Sequence, residues 1–324
     1  MFVPASPSRA PQLDQDMREH LARSLDRIGE MAGPMLADAA DMAPALAHIG
    51  AHRVNPGVFA RYYDLVFALQ AADYPAARRL WREIADLAGS EAELTLVPFG
   101  RETLGEDAAR FGRLLSMAYG DTSMFAPPAT ENWLAFERGA HDALDLLGDL
   151  SPAWSQELRG LLTRVIGAEP NVESAAPRFA GASGFMVWGA AFINVMGKPD
   201  RIAILSSLVH EATHQLLFAV SRDQPLVTNP PGARYQSPLR KDPRPMDGVF
   251  HATYVAARMS LLYEVLRTAG PRLSPAESAN VGERLAYIRS RFRDGYAVVT
   301  AEAMLTPLGR TVMEEAAGHV LAPA

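Results

Sequence analysis

Apolar residues recur at helical spacing through most of this chain, and Gly and Pro interrupt them at short intervals. That combination restricts the first half to a packing of short helices. The pattern predicts helices from Gln12 to Met31 and over about 34–49, 56–71, 74–89, 103–118, 131–148 and 152–166. Gly33-Pro34, Asn55-Pro56 and Ala126-Pro127-Pro128 supply breaks between them. Abundant alanine favours helix and lets helices approach closely. No convincing fixed-period repeat is present, although the run of short helices leaves a helical-repeat architecture open.

The character of the chain changes at Gly167-Ala168-Glu169-Pro170, where Gly and Pro together stop a helix. Beyond it, Gly181, Gly184, Gly189 and Gly197 surround two apolar runs, Phe185-Met186-Val187-Trp188 and Ala191-Phe192-Ile193-Asn194-Val195, which predict a β-hairpin. A helix over about 200–221, a Pro-rich loop over about 223–245 and helices over about 247–268, 275–293 and 308–318 complete the expectation. The fold class expected is mainly α, with a bundle-like N-terminal half and a mostly helical second region holding a short hairpin, a minor α+β component. The expected organisation is a disordered Pro-rich leader over about 1–10, a helical region over about 11–170 and a second region over about 171–324, or one continuous domain.

Hydrophobic residues at 48% and charged residues at 21% fit a globular chain that can bury a sizeable core. The net charge of −6 gives no broad basic field, so neither nucleic acid nor an acidic membrane surface is expected as a partner. Cysteine is absent, which excludes disulfides, thiolate catalysis and cysteine-ligated metal sites. The N-terminal stretch lacks the apolar core of a secretory signal and no later stretch is apolar enough to span a bilayer, so a cytoplasmic location is expected.

His210-Glu211-Ala212-Thr213-His214 is an HExxH segment. On a helix it sets two imidazoles one turn apart, where both can reach one divalent ion. Placed at about 100° per residue, Ile202, Leu205, Val209, Ala212 and Leu216 form the main core stripe. His210 and His214 fall largely opposite, with Ala203, Ser207 and Ser221, and Glu211 on the flank. Short HExxH matches also occur by chance, and a surface helix with two histidines needs no metal.

A usable site needs a third ligand. The metzincin pattern fails, because Val220 stands where its third histidine belongs and Leu217 where its glycine belongs. A thermolysin-like arrangement would use Glu264, which lies roughly 220° around the helix from His251, with Thr253, Ser260 and Arg267. His251 lies in the apolar stripe of Val255, Met259, Leu262 and Leu266. Burial therefore favours His251 over Glu264, and the expected metal set is His210, His214 and His251. His20, His48, His52, His141 and His319 lie on separate segments and are read as surface or structural residues.

The loop before that helix reads SPLRKDPRPMDG from Ser237 to Gly248, and its prolines hold it extended. Arg240 and Arg244 would then point the same way, and an arginine beside a metal can clamp a carboxylate with two parallel hydrogen bonds.

The segments LVHEATH and SPLRKDPRPMDGVFHATYVAAR resemble those of the HExxH-motif family of peptide-modifying enzymes found near ribosomally made peptide natural products. Members of that family are described as iron- and 2-oxoglutarate-dependent peptide beta-hydroxylases. The resemblance is strongest over about residues 178–268 and weak over the N-terminal helices. It implies Fe(II) bound by His210, His214 and His251, and a 2-oxoglutarate carboxylate anchored by Arg240 or Arg244, with Ser237 nearby. Glu211 would be a ligand or would orient His210 or a bound water. The implied partner is a peptide substrate carrying a leader segment. A zinc metallopeptidase with Glu211 as general base is the alternative, and a non-catalytic helical interaction module the third.

Overall fold

The computed structural model describes residues 2–33, 35–36, 40–89, 93–117, 123–174, 179–197, 200–239 and 241–322. Over these residues the chain is mainly helical with a small mixed sheet, as the sequence leads one to expect at that level. It runs through α1 (Arg9–Ala32), α2 (Ala43–Ala51), α3 (Pro56–Gln70), α4 (Tyr74–Ala88), β1 (Thr95–Pro98), α5 (Arg101–Leu104), α6 (Asp107–Ser116) and β2 (Phe125–Ala126). Next come α7 (Thr130–Leu150), α8 (Pro152–Leu161), β3 (Arg164–Pro170), β4 (Gly181–Ser183) and β5 (Ala190–Asn194). The chain ends with α9 (Arg201–Val220), α10 (Met246–Arg267), α11 (Pro275–Glu302) and α12 (Pro307–Val320). Among the described residues no helix is long and apolar enough to cross a membrane.

Helix starts follow local chemistry. Asn55 Oδ1 accepts from Gly57 N at 2.8 Å and Asp73 Oδ1 from Ala76 N at 3.1 Å, each just ahead of a proline-containing first turn. The single helix expected over 103–118 is split into α5 and α6, because Gly105 takes a positive φ of 57° between them.

The chain divides into two compact units, and neither follows the break expected at 170–171. One comprises Ser8–Gly139 with Leu158–Pro199 and holds the whole sheet. Strand β3, which ends at Pro170, pairs in parallel with β5 beyond it, so the two sides of the expected boundary share one sheet. The order is β1-β3-β5-β4, with β1, β3 and β5 parallel, β4 antiparallel to β5, and β2 antiparallel to β3. Its core packs Phe125 against Phe192 with ring centroids 4.4 Å apart, and Phe99 and Phe111 close around them. The hairpin is displaced from its expected place. Phe185–Val187 forms a 3₁₀ turn, and residues 181–183 pair with 191–193 instead.

The other unit comprises Met1–Pro7, Ala140–Glu157 and Asp200–Ala324. Residues 1–10 do not form the expected disordered leader over their described part. Val3 is fully buried, Phe2 N donates to both Glu315 carboxylate oxygens (2.6 and 2.7 Å), and Tyr254 donates to Phe2 O at 2.5 Å. Buried Arg258 donates to Val3 O at 2.8 Å and pairs with buried Glu157, whose other oxygen accepts from Ser6 N at 3.0 Å. Helices α10 and α11 pack closely at Gly295, where a Cβ would collide with Thr253 Oγ1 and stand 3.0 Å from Pro238 Cγ.

A candidate metal centre on two antiparallel helices

Helix α9 opens at Asp200, whose side chain accepts from Ile202 N at 2.9 Å. From Ile202 to Ala219 every residue is buried except Ala203, Ser207, His210, His214 and Phe218, which are half-buried. These five recur every three or four residues and form one stripe. The expected core stripe is buried, and so are Ile204, Leu208, Thr213, Gln215 and Leu217, leaving the histidine face as the helix's single open side.

Helix α10 runs antiparallel to α9. Phe218 near the end of α9 lies beside His251 near the start of α10 (centroids 5.5 Å), while Tyr263 late in α10 donates to Ser206 early in α9 at 3.0 Å. This arrangement brings the three histidines together. His210 and His214 have ring centroids 4.9 Å apart and Nε2 atoms 3.2 Å apart. His251 stands 5.9 Å from His214, the two ring planes 20° apart.

Two imidazoles sharing one ion, with metal–nitrogen bonds near 2.1 Å, have centroids about 4.6–5.3 Å apart and nitrogens about 3.0–3.4 Å apart. His210 and His214 meet both values; His251, with its centroid 5.9 Å from that of His214, lies about 0.6 Å beyond the range. Accordingly, among the described residues no three His, Asp or Glu side chains are already gathered around one point. The neutral state of the His214 and His251 rings suits binding, since the ligand must be the unprotonated imidazole. Burial, and then the neighbouring His210 and His251, push His214 well below the ordinary imidazole range. Burial holds His251 at about 4, with Asp247 one turn earlier pulling it upward.

Glu264 makes no such approach. It sits thirteen residues beyond His251, about 20 Å along the helix axis, and pairs with Arg289 at 2.6 Å and Arg267 at 3.0 Å. Of the residues that share its face, Thr253 and Ser260 are buried, and α11 packs on Thr253 through Gly295. Glu211, expected on the flank of the histidine face, is 4% exposed and lies off the half-buried stripe.

The loop residues divide between two sides of α10. Arg244 exchanges backbone hydrogen bonds with Tyr235 at 2.8 Å and pairs with Asp242 at 2.6 Å. Its Cβ lies 3.7 Å from where a Cβ on Gly248 would be, and Gly248 shares a face with His251 one turn later. Ser237 is buried and its Oγ accepts from Leu239 N at 3.4 Å. Its neighbour Pro238 packs at Gly295 beside Thr253, about 200° around α10 from His251. Arg291 on α11 donates to Pro238 O at 3.3 Å on that same side. Arg240 lies outside the described residues.

Phe218 was not among the residues singled out from the sequence. Its ring is 6.3 Å from His214 and inclined 25° to it. The signal was available, since Phe218 follows His214 by four residues and so shares its face. Compared as a whole, the chain matches no protein-family model and no curated protein, so the site is read from its own residues.

Proposed function

We propose that this chain is an Fe(II)- and 2-oxoglutarate-dependent oxygenase that hydroxylates a side-chain carbon of a peptide. The observation that carries the reading is the approach of His251, on antiparallel α10, to His214, which pairs with His210 on the half-open face of α9. Three imidazoles would hold the ion and leave three positions for a bidentate 2-oxo acid and dioxygen. When bound, iron supplies the oxidation, in which dioxygen converts 2-oxoglutarate to succinate and carbon dioxide and gives one oxygen atom to a C–H bond.

The protein's own share is binding and positioning. His214 and His251 stay neutral, so no proton must leave before they bind a metal. The carboxylate anchor is Arg240 or Arg244; of the two, Arg244 is described and lies on the His251 side of α10, and an arginine fork matches a carboxylate in two parallel bonds. Anchoring by Arg244 would require its guanidinium to exchange Asp242, which is 61% exposed, for the ligand. A cytoplasmic setting suits a chain without cysteine.

The zinc peptidase is the weaker reading. Its general base needs to meet a metal-bound water and the substrate, whereas Glu211 is buried off the open stripe and Glu264 is engaged elsewhere. The deciding experiment purifies the chain without chelators, measures bound metal and follows oxygen-dependent conversion of 2-oxoglutarate to succinate. Iron with succinate formation supports the oxygenase. Zinc with peptide cleavage overturns it, and an absence of metal binding favours an interaction module.

A further inference from the structure

The half-buried stripe of α9 has unlike ends. Toward the start of the helix the neighbours of the histidines are Ala203 and Ser207, both small, and Ser207 Oγ turns back to donate to Ala203 O at 3.1 Å. Toward the end stands Phe218, one turn beyond His214 and beside His251. Because the helices are antiparallel, one turn forward from His214 on α9 and one turn back from His251 on α10 lie at the same end of the site. The first step reaches Phe218 and the second reaches Gly248, against which Arg244 packs. Phe218 and Arg244 therefore flank one end, and Ala203 and Ser207 the other.

We propose that Phe218 is a specificity-determining wall of the 2-oxo acid subsite, limiting how long a dicarboxylate can span from the ion to Arg244. This rests on the oxygenase reading above. An aromatic ring presents a flat, rigid apolar surface to the methylene chain of such an acid, and one methylene fitted or excluded by a hydrophobic wall changes binding by about ten-fold or more. The opposite end, floored by Ala203 and Ser207, is left for the second reactant.

The test uses Co(II) as a redox-silent probe of the whole chain, following its visible absorption while 2-oxoglutarate and the one-carbon-longer 2-oxoadipate are titrated in. Phe218→Ala should shift the preference toward 2-oxoadipate about ten-fold while Co(II) affinity stays within about two-fold. Phe218→Tyr should restore the original ranking. Ser207→Leu should leave the affinity for both acids unchanged. An unchanged acid ranking in Phe218→Ala overturns the proposal, as does loss of acid binding in Ser207→Leu, which would put the acid at the other end. Loss of Co(II) affinity in Phe218→Ala with unaltered acid ranking would assign the ring to bracing His214 and His251 alone and also overturn it. If the unaltered chain binds no Co(II), the metal reading itself fails; if it binds Co(II) but neither acid, the co-substrate reading fails.

Discussion

At the scale of single residues, His251 and Glu264 carry the sharpest contrast. His251→Ala should weaken Fe(II) or Co(II) binding by at least about 100-fold, and Glu264→Ala should leave it within about two-fold, read by metal titration of the purified chain. The reverse result would show that the helix turns its other face to the ion. Arg244→Ala should raise the 2-oxoglutarate concentration needed for half-maximal succinate formation by about ten-fold or more, since a charge-assisted fork contributes roughly 1.5–3 kcal/mol. No change would put the anchor elsewhere. Much of this was legible in the sequence. The spacing of His210 and His214, the small neighbours Ala203 and Ser207, and the apolar company of His251 all follow from helical period. Period alone groups Glu264 with the polar residues Thr253 and Ser260, whereas both of these are buried and α11 packs on Thr253. Which element covers which face is tertiary information that a local pattern does not contain.

At the scale of elements, α11 is held by two features with testable consequences. Gly295→Ala should destabilise the fold by about 1–3 kcal/mol, read by denaturant unfolding, because its Cβ has no room between Thr253 and Pro238. At its other end, Ser274 and Glu277 form a capping box, and Glu277 also pairs with Arg201 at 2.7 Å. The Arg201 hydrogen bond is the largest influence holding the Glu277 carboxyl at about 2. A carboxyl depressed on folding adds stability above its unfolded pKa of about 4.3, and that contribution is lost as pH falls toward its folded pKa. The stability gap between the unaltered chain and Glu277→Gln should therefore be constant above about pH 5 and close as pH falls from there to about 2. A gap that persists at pH 2 would rule this origin out. The helices were legible from periodicity, and their boundaries shifted where Gly105 or Pro44 intervened. The sheet was mostly not legible. Strand β3 lies where the sequence continued a helix to 166, and its short parallel partner β1 (Thr95–Pro98) gives no pattern of its own. Pairing across almost seventy residues leaves no local mark.

At the scale of the molecule, a segment that composition marked as loose is part of a core. Phe2, Val3 and Ser6 are held through their backbone by Glu315, Tyr254, Arg258 and Glu157, residues from α12, α10 and α8. Tyr254 and Arg258 follow His251 by three and seven positions and so lie on its side of α10. Removing one member of the buried Arg258–Glu157 pair leaves the other charge unpartnered in the interior. Arg258→Met alone should therefore destabilise by about 3–5 kcal/mol, and the double replacement Arg258→Met with Glu157→Leu by clearly less, measured by chemical unfolding. Equal losses in single and double variants would contradict the ion-pair account. A Pro- and Ser-containing stretch reads as disordered because its own side chains bury little, and here the burial is supplied by partners more than 150 residues away.

The central claim is that His210, His214 and His251 together hold one metal ion. X-ray absorption at the metal edge of the Fe(II)-loaded chain tests it most directly, alone and with His251→Ala. The account predicts one ion per chain, three imidazole nitrogens at about 2.0–2.2 Å, and the loss of one of them on replacing His251. Two imidazoles in the unaltered chain, or a spectrum unmoved by His251→Ala, would contradict it.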